Sequence, residues 1–286
     1  MQIELLSPAK INLFLLINRR RADGYHDLQT LFQILDYGDS MSFKPASHGD
    51  IRLLTEFKDV EPNQNLIIHA AKLLRQKLAS RGLDTAGVEI EITKRLPMGG
   101  GLGGGSSNAA TTLLALNTLW QGNLNKKELT ELGIQLGADV PIFIAGKSAF
   151  AEGLGEKLTS TKIPKAWYLV LDPKVNISTA EIFLNPQLTR DSAPIKIPAL
   201  AAECIRNDCQ IVVEKLHPEV AKARIWLDRL GEARLTGTGA CLFVELSTEA
   251  DALNIFDQIP SDWNGFVAKG VNESPTHKQL NCLKID

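Results

Sequence analysis

The sequence predicts an α+β fold of two domains, with mixed sheets packed against helices. Three observations lead there. Short runs of alternating hydrophobicity are interspersed with longer runs of helical period, but without the strict strand–helix–strand order that a doubly wound sheet requires. The length, 286 residues, suits one large domain or two modest ones. The texture changes after about Gly155, which divides the chain into residues 1–155 and 156–286.

Taken in order, the first segment alternates: Ile11, Leu13 and Leu15 face one way, Lys10, Asn12 and Phe14 the other. Asp23-Gly24 supplies a turn. From Asn63 to Gly82, Leu66, Ile67, Ala70, Leu73 and Leu74 recur at helical spacing. Val88, Ile90 and Ile92 alternate with Glu89, Glu91 and Thr93 as in a strand, and a glycine loop follows Pro97. Helices are expected over Ser106–Trp120 and over Lys126–Leu136, the second begun by Asn125. Further on, the pattern predicts a strand at Trp167–Leu171, a loop at Pro186–Pro198, a helix at His217–Leu230 and a strand at Leu242–Leu246. No internal repeat or low-complexity segment interrupts the chain.

Composition removes several classes of function. Hydrophobic residues make up 44% and charged residues 22%, enough for a packed core and too apolar for disorder. A net charge of -2 gives no electrostatic reason for a nucleic-acid partner. No apolar run approaches the roughly 20 residues that span a bilayer, and the N-terminus enters a strand-like pattern without a basic leader. Cys204, Cys209, Cys241 and Cys282 lack metal-ligand spacing and read as buried thiols of a cytoplasmic protein. His48, His69, His217 and His277 form no ligand set either, so no protein-built metal site is expected.

The most informative stretch runs Pro97, Met98, Gly99, Gly100, Gly101, Leu102, Gly103, Gly104, Gly105, Ser106, Ser107. So many glycines are entropically costly unless the backbone must take positive φ and lie against a ligand. The run feeds a helix start, which offers unpaired N–H groups and a partial positive charge, so it suits a phosphate chain. The Ser106 and Ser107 hydroxyls could serve phosphate oxygens or a Mg²⁺ ion. Gly99, Gly101 and Gly104 also satisfy the dinucleotide fingerprint, but Leu119, Trp120 and Gln121 stand where its acidic residue belongs. Gly146-Lys147-Ser148 imitates the end of a P-loop, yet Pro141 replaces that motif's first glycine.

Two charges stand out beside the loop. Lys10 lies in an apolar strand, and Asp139 in Gly137-Ala138-Asp139-Val140-Pro141. An edge-strand charge and a helix cap are their plain readings. Together they would give a kinase a carboxylate to orient a hydroxyl proton and a cation to steady the charge developing on its oxygen.

Three segments in this order resemble the GHMP kinase superfamily: Pro8-Ala9-Lys10-Ile11-Asn12-Leu13, the glycine loop, and Leu235-Thr236-Gly237-Thr238-Gly239-Ala240. Asp23-Gly24-Tyr25-His26 and the Asp139 segment bring the resemblance to the branch that phosphorylates a methylerythritol bearing a cytidine diphosphate. It implies the two-domain GHMP kinase fold with a deep cleft, residues 1–155 binding ATP and 156–286 the substrate. It also implies ATP as co-substrate, Mg²⁺ through ligands the sequence does not identify, and a monomer or weak homodimer. Asp139 becomes the base and Lys10 its partner. The loop from Pro97 to Ser107 holds the ATP phosphates, backed by Thr236–Gly239, with Asn65 and Lys94 near the nucleotide. Tyr25, His26 and Phe183 grip the cytosine, and Asn12, Thr236 and Gly237 complete the substrate side. The resemblance leaves two rivals, a GHMP kinase for homoserine, mevalonate or a sugar, and a nucleotide-binding module without catalysis. Tyr25-His26 argues against the first and the Lys10 and Asp139 couple against the second.

Overall fold

A computed structural model of the protein describes residues 2–47, 49–57, 64–195 and 206–283. His48, Cys204, Asn63 and Pro198, named above, lie outside the described residues. The spine is a long antiparallel hairpin of β1 (Ile3–Arg20) and β2 (His26–Ala46). Its turn is where the Asp23-Gly24 pair predicts it: Gly24 takes φ +88°, and the Asp23 carboxylate accepts a hydrogen bond from Tyr25 N at 3.1 Å.

The free edge of β2 meets three strands in succession. Leu28–Phe32 pairs with β5 (Ala149–Gly153), Ile34 and Leu35 with β10 (Asn264–Val271), and Ser40–Ala46 with β4 (Gly87–Thr93). Beyond them β3 (Ile51–Leu53) runs parallel to β4, and β6 (Lys157–Ser160) pairs with β5. In the other direction β10 carries the sheet on through β7 (Trp167–Asp172) and β9 (Leu242–Leu246) to β8 (Arg234–Leu235). One mixed sheet thus serves two lobes, each covered by helices, which agrees with the α+β expectation.

The first lobe packs α1 (Leu66–Ala79), α2 (Gly104–Leu119), α3 (Lys126–Leu136) and α4 (Val140–Ala145) over Ile3, Leu5, Met41, Phe43 and Ile90. The helix starts are chemically marked. Asn65 caps α1 by accepting from Ile67 N at 2.9 Å, and Asn125 with Glu128 forms a reciprocal capping box on α3. The second lobe packs α5 (Thr179–Leu184), α6 (Gln210–Leu216), α7 (Pro218–Leu227) and α8 (Glu249–Phe256) around Leu169, Leu171, Leu242 and Val244. Among the described residues no helix is long and apolar enough to cross a membrane.

Both ends of the chain cross between the lobes. Leu15 and Ile17 of β1 belong to the second core. At the other end α9 (Pro275–Cys282) returns to the first, where Leu280 is buried, Gln279 Oε1 accepts from Leu6 N at 2.8 Å and Thr276 Oγ1 donates to Leu6 O at 2.7 Å.

Three expectations need correction. Cys282, near the end of α9, is exposed rather than a buried thiol. Leu15 does not share a face with Ile11 and Leu13, because a register irregularity between Asn12 and Leu15 shifts the strand's alternation. Leu13 and Phe14 therefore enter one core while Leu15 turns to the cavity side with Lys10 and Asn12. The helix expected from Ser106 begins at Gly104, so the glycines themselves form its tip. If α9 closes the first core, Leu280→Ala lowers stability by about 2–5 kcal/mol, the range for a buried leucine. Urea unfolding reads this, and a loss below about 1 kcal/mol would mean that the helix is only laid on the surface.

Candidate active site

The glycine loop folds by alternation. Gly99, Gly101 and Gly103 take φ values of +69°, +74° and +70°, a region that side chains rarely tolerate. Space is as restrictive as conformation: a Cβ on Gly101 would lie 2.1 Å from Thr236 O, and one on Gly100 2.7 Å from Cys241 Sγ. Cys241 N donates to Gly100 O at 3.2 Å, so the third motif lies directly against the loop. At the α2 tip, Ser107 N donates to Gly103 O at 2.8 Å, and no side chain caps the helix. The N–H groups of Gly104, Gly105 and Ser106 precede the first internal bonds, and these three residues line the cavity.

Lys10 is carried to this loop by β1, whose backbone N–H donates to Leu102 O at 3.0 Å. Its side chain is 3% exposed; the ammonium donates to Asn12 Oδ1 at 2.7 Å and to Gly101 O at 3.0 Å, and it forms an ion pair with Asp139 Oδ2 at 3.1 Å. The ammonium also sits 5.2 Å from the centre of the Phe32 ring. Asp139 stands at the N-cap position of α4 yet makes no capping bond; its carboxylate turns to Lys10 instead. Its side chain is 33% exposed, and among the described residues it has no other partner.

Further groups gather at the tip. A Cβ on Gly104 would lie 3.6 Å from Lys94 Nζ. That ammonium pairs with the fully buried Asp39, whose other oxygen accepts from Arg95 N at 2.8 Å and Leu96 N at 2.9 Å. Asn65 lines the cavity while capping α1. Ser106 lines it too, whereas Ser107 is turned inward to Ser7 Oγ at 2.9 Å. Thr236 is likewise buried behind the wall, where its hydroxyl accepts from Asn12 N at 3.0 Å and lies 3.2 Å from Gly101 O.

The far end of the cavity is aromatic. His26, at the start of β2, stacks on Phe183 of α5 with centroids 5.2 Å apart and 29° between planes. Tyr25 stands beside them on the turn, 63% exposed. Burial first, then the cations Arg190 and Arg20, lower the His26 pKa below the usual histidine range. Arg190 Nε donates to His26 Nε2 at 3.1 Å. Thr179 and Thr238, whose hydroxyls are 2.9 Å apart, tie α5 to the third motif.

All of these ends open on one cavity of about 1030 Å³. Lys10, Asn12, Tyr25, His26, Asn65, Lys94, Pro97 to Ser106, Asp139, Phe183 and Gly237 line it; of the residues singled out in sequence, Ser107 and Thr236 stand behind it. Sequence reading missed Phe32, Thr179 and Arg190. It also missed Asn207, which donates from Nδ2 to Leu235 O at 2.9 Å and Gly237 O at 2.7 Å and so fixes the third motif from behind. None of these four sits in a short motif of distinctive chemistry, so only their placement reveals them.

Similarity to known proteins is extensive. Residues 65–147 match the model of the GHMP kinases N terminal domain and residues 195–265 that of the GHMP kinases C terminal. The chain is 53% identical over 276 residues to the 4-diphosphocytidyl-2-C-methyl-D-erythritol kinase of Mannheimia succiniciproducens, covering 96% of this chain and 90% of that one. It is 56% identical over 288 residues to the protein of the same name from Marinobacter nauticus, covering 99% of each. Among solved structures it resembles a 4-(cytidine 5'-diphospho)-2C-methyl-D-erythritol kinase with a TM-score of 0.82 at 30% identity, over 94% of this chain and 100% of that one. The Methanococcus jannaschii mevalonate kinase, at 19% identity and a TM-score of 0.68 over 95% and 98% of the two chains, shares the fold. By sequence along nearly its whole length and by fold, the chain belongs to the GHMP kinases, in the branch of the 4-diphosphocytidyl-2-C-methyl-D-erythritol kinases.

Proposed function

We propose that this protein transfers the γ-phosphoryl group of ATP to the 2-hydroxyl of 4-diphosphocytidyl-2-C-methyl-D-erythritol, a step of the non-mevalonate route to isoprenoid precursors. The observation that carries this reading is a single cavity with the Lys10–Asp139 pair, the uncapped α2 tip and the His26–Phe183 stack in its walls. Phosphoryl transfer asks mainly for positioning and charge compensation, and these are what such a cavity offers.

In this reading the triphosphate lies along the loop, on the N–H groups of Gly104, Gly105 and Ser106, with the Lys94 ammonium and Asn65 beside it. The acceptor hydroxyl approaches Asp139. One carboxylate oxygen is held by Lys10, and the other receives the hydroxyl proton as the oxygen attacks. Lys10, held by Asn12 Oδ1 and Gly101 O and paired with Asp139, supplies a fixed positive charge that lowers the cost of negative charge on the attacking oxygen. At the other end Tyr25 and Phe183 offer ring faces to a cytosine and His26 reads its edge. The first lobe, broadly residues 1–155, supplies the ATP and catalytic groups, and the second adds Phe183, Thr179 and Thr238 to the substrate side.

Mg²⁺ suits the donor set at the tip. Among the described residues there is no group of three His, Cys, Asp or Glu side chains that could hold an ion alone. The Ser106 hydroxyl is an oxygen donor that would share the ion with phosphate oxygens and water. When bound it neutralises phosphate charge.

Three outcomes follow from this reading. Purified protein with Mg-ATP consumes ATP when given the diphosphocytidyl methylerythritol, and equal turnover on homoserine, mevalonate or galactose overturns the substrate assignment. Asp139→Asn lowers kcat by at least about 100-fold, the scale of losing a general base, while ATP affinity from calorimetry stays near wild type; undiminished turnover removes Asp139 from its role. Tyr25→Ala raises KM for the cytidine substrate more than KM for ATP, and the reverse pattern takes Tyr25 out of the base pocket.

A further inference from the structure

Arg190 lies behind the base pocket rather than in it. It is half-buried, follows α5 in the chain and does not line the cavity. Its guanidinium makes four hydrogen bonds: Nε to His26 Nε2 at 3.1 Å, Nη1 to Leu188 O at 3.1 Å, and Nη2 to Phe183 O at 2.9 Å and Asn185 O at 2.7 Å. These acceptors belong to both walls of the pocket. His26 begins β2 on the hairpin, while Phe183 stands near the end of α5 in the second lobe. One rigid, planar group therefore joins the His26 ring to the main chain of Phe183, whose ring stacks on that imidazole.

The polarity of this contact is fixed. A guanidinium is always protonated and has no acceptor, so His26 Nε2 must accept. An imidazole that accepts at Nε2 carries its proton on Nδ1 when neutral. Nδ1 of His26 has no other partner among the described residues, and the ring lines the cavity. Adding a second proton would aim an N–H at another N–H and set two cations together. The charged groups facing His26 are Arg190, from the segment after α5, and Arg20, its register partner on β1. The hairpin's acids, Asp23 and Asp27, are engaged with Arg21 and Arg19, and the α5 face presents the apolar Phe183.

We propose that Arg190 is a positioning residue of the base pocket: it sets the tautomer of His26 and holds Phe183 against it, so that the pocket presents one fixed donor to the edge of a pyrimidine. The inference rests on assigning His26 and Phe183 to the cytidine group. Its consequence is selectivity. Cytosine N3 accepts a hydrogen bond, whereas uracil carries a proton at the same position, so a donor that cannot reverse favours cytosine.

The test uses the full chain, as wild type, Arg190→Gln and Arg190→Lys. Nitrogen-15 correlation spectra of the imidazoles show His26 protonated on Nδ1 in the wild type; protonation on Nε2 instead overturns the proposal outright. Titrated in the same spectra, His26 gains its second proton below the ordinary value of about 6.5 in wild type, and at higher pH once Arg190→Gln removes the neighbouring cation. An unmoved titration also overturns it. Because the depressed value favours the neutral ring in the fold, the stabilisation it brings is present above the unfolded value and is lost as pH falls through the folded one.

In steady-state assays Arg190→Gln raises KM for the cytidine substrate roughly tenfold, the scale of one organised hydrogen bond, and narrows its preference over a uridine-linked analogue. KM for ATP and kcat at saturation stay within about twofold. Arg190→Lys rescues only in part, since an ammonium cannot reproduce the planar fork. Loss of kcat and of both KM values together would mark a merely structural residue and sink the idea. Should the wild type not use the cytidine substrate at all, the proposed function fails, while the ring-nitrogen measurement still decides the tautomer.

Discussion

The site depends on one ammonium group. Lys10 is withdrawn from water, and a buried charge is tolerated only when its hydrogen-bonding capacity is met. Here the ammonium donates to an oxygen of β1 itself and to one of the glycine loop, and it pairs with the carboxylate of the residue that opens α4. That requirement couples segments about ninety and a hundred and thirty positions apart in the chain, and it orients Asp139 more firmly than a helix cap would. The stacked position over Phe32 leaves the ammonium little freedom. A carboxylate with one oxygen engaged and a third of its side chain exposed is thereby presented to the cavity in a single orientation.

The glycines make that arrangement possible from the other side. With a Cβ at Gly101, the loop and the third motif could not approach, because that atom would lie 2.1 Å from Thr236 O. The approach brings Thr236 Oγ1 within reach of both Gly101 O and the Asn12 side chain. Asn207 then holds the same turn from beneath through Leu235 O and Gly237 O. Three segments that look independent in sequence thus form one interlocked floor. For a reaction in which placement and charge supply most of the rate, a floor with few degrees of freedom has already met much of the entropic cost of organising the reactants.

What was legible in the sequence follows from locality. The helix over Lys126–Leu136 and the strand over Leu242–Leu246 have the predicted limits, since caps and alternation are written in neighbouring residues. The glycine loop was legible because no ordinary element tolerates such a composition. By contrast β2, 21 residues long, carries no clean alternation: it borders β1 on one edge and three different strands on the other, and its burial changes with each partner. The shift of Leu15 to the cavity side depends on a bulge that no residue type announces. Arg190 and Asn207 escaped notice for a related reason. Their importance comes from acceptors far away in sequence, whereas arginine and asparagine in polar segments are ordinarily solvated.

The two ends of the cavity are organised by different means, and this bears on how a substrate is read. At the glycine-loop end the groups are backbone N–H donors and fixed charges, largely from the first lobe and its loop. At the aromatic end the pocket exists only where a residue of the hairpin meets residues of the second lobe: His26 on Phe183, with Arg190 binding both. The first arrangement would recognise any triphosphate that reaches it. The second depends on the lobes standing in correct relation, because a displacement of α5 against β2 would part the rings and free the imidazole to change its proton. On the proposed reading, a substrate bearing a base would probe the alignment of the two lobes as it binds, and the distance from that base to its reacting hydroxyl would be the ruler by which Asp139 is reached. Specificity in such a cleft resides less in any single contact than in the demand that both ends be satisfied by one molecule of fixed length.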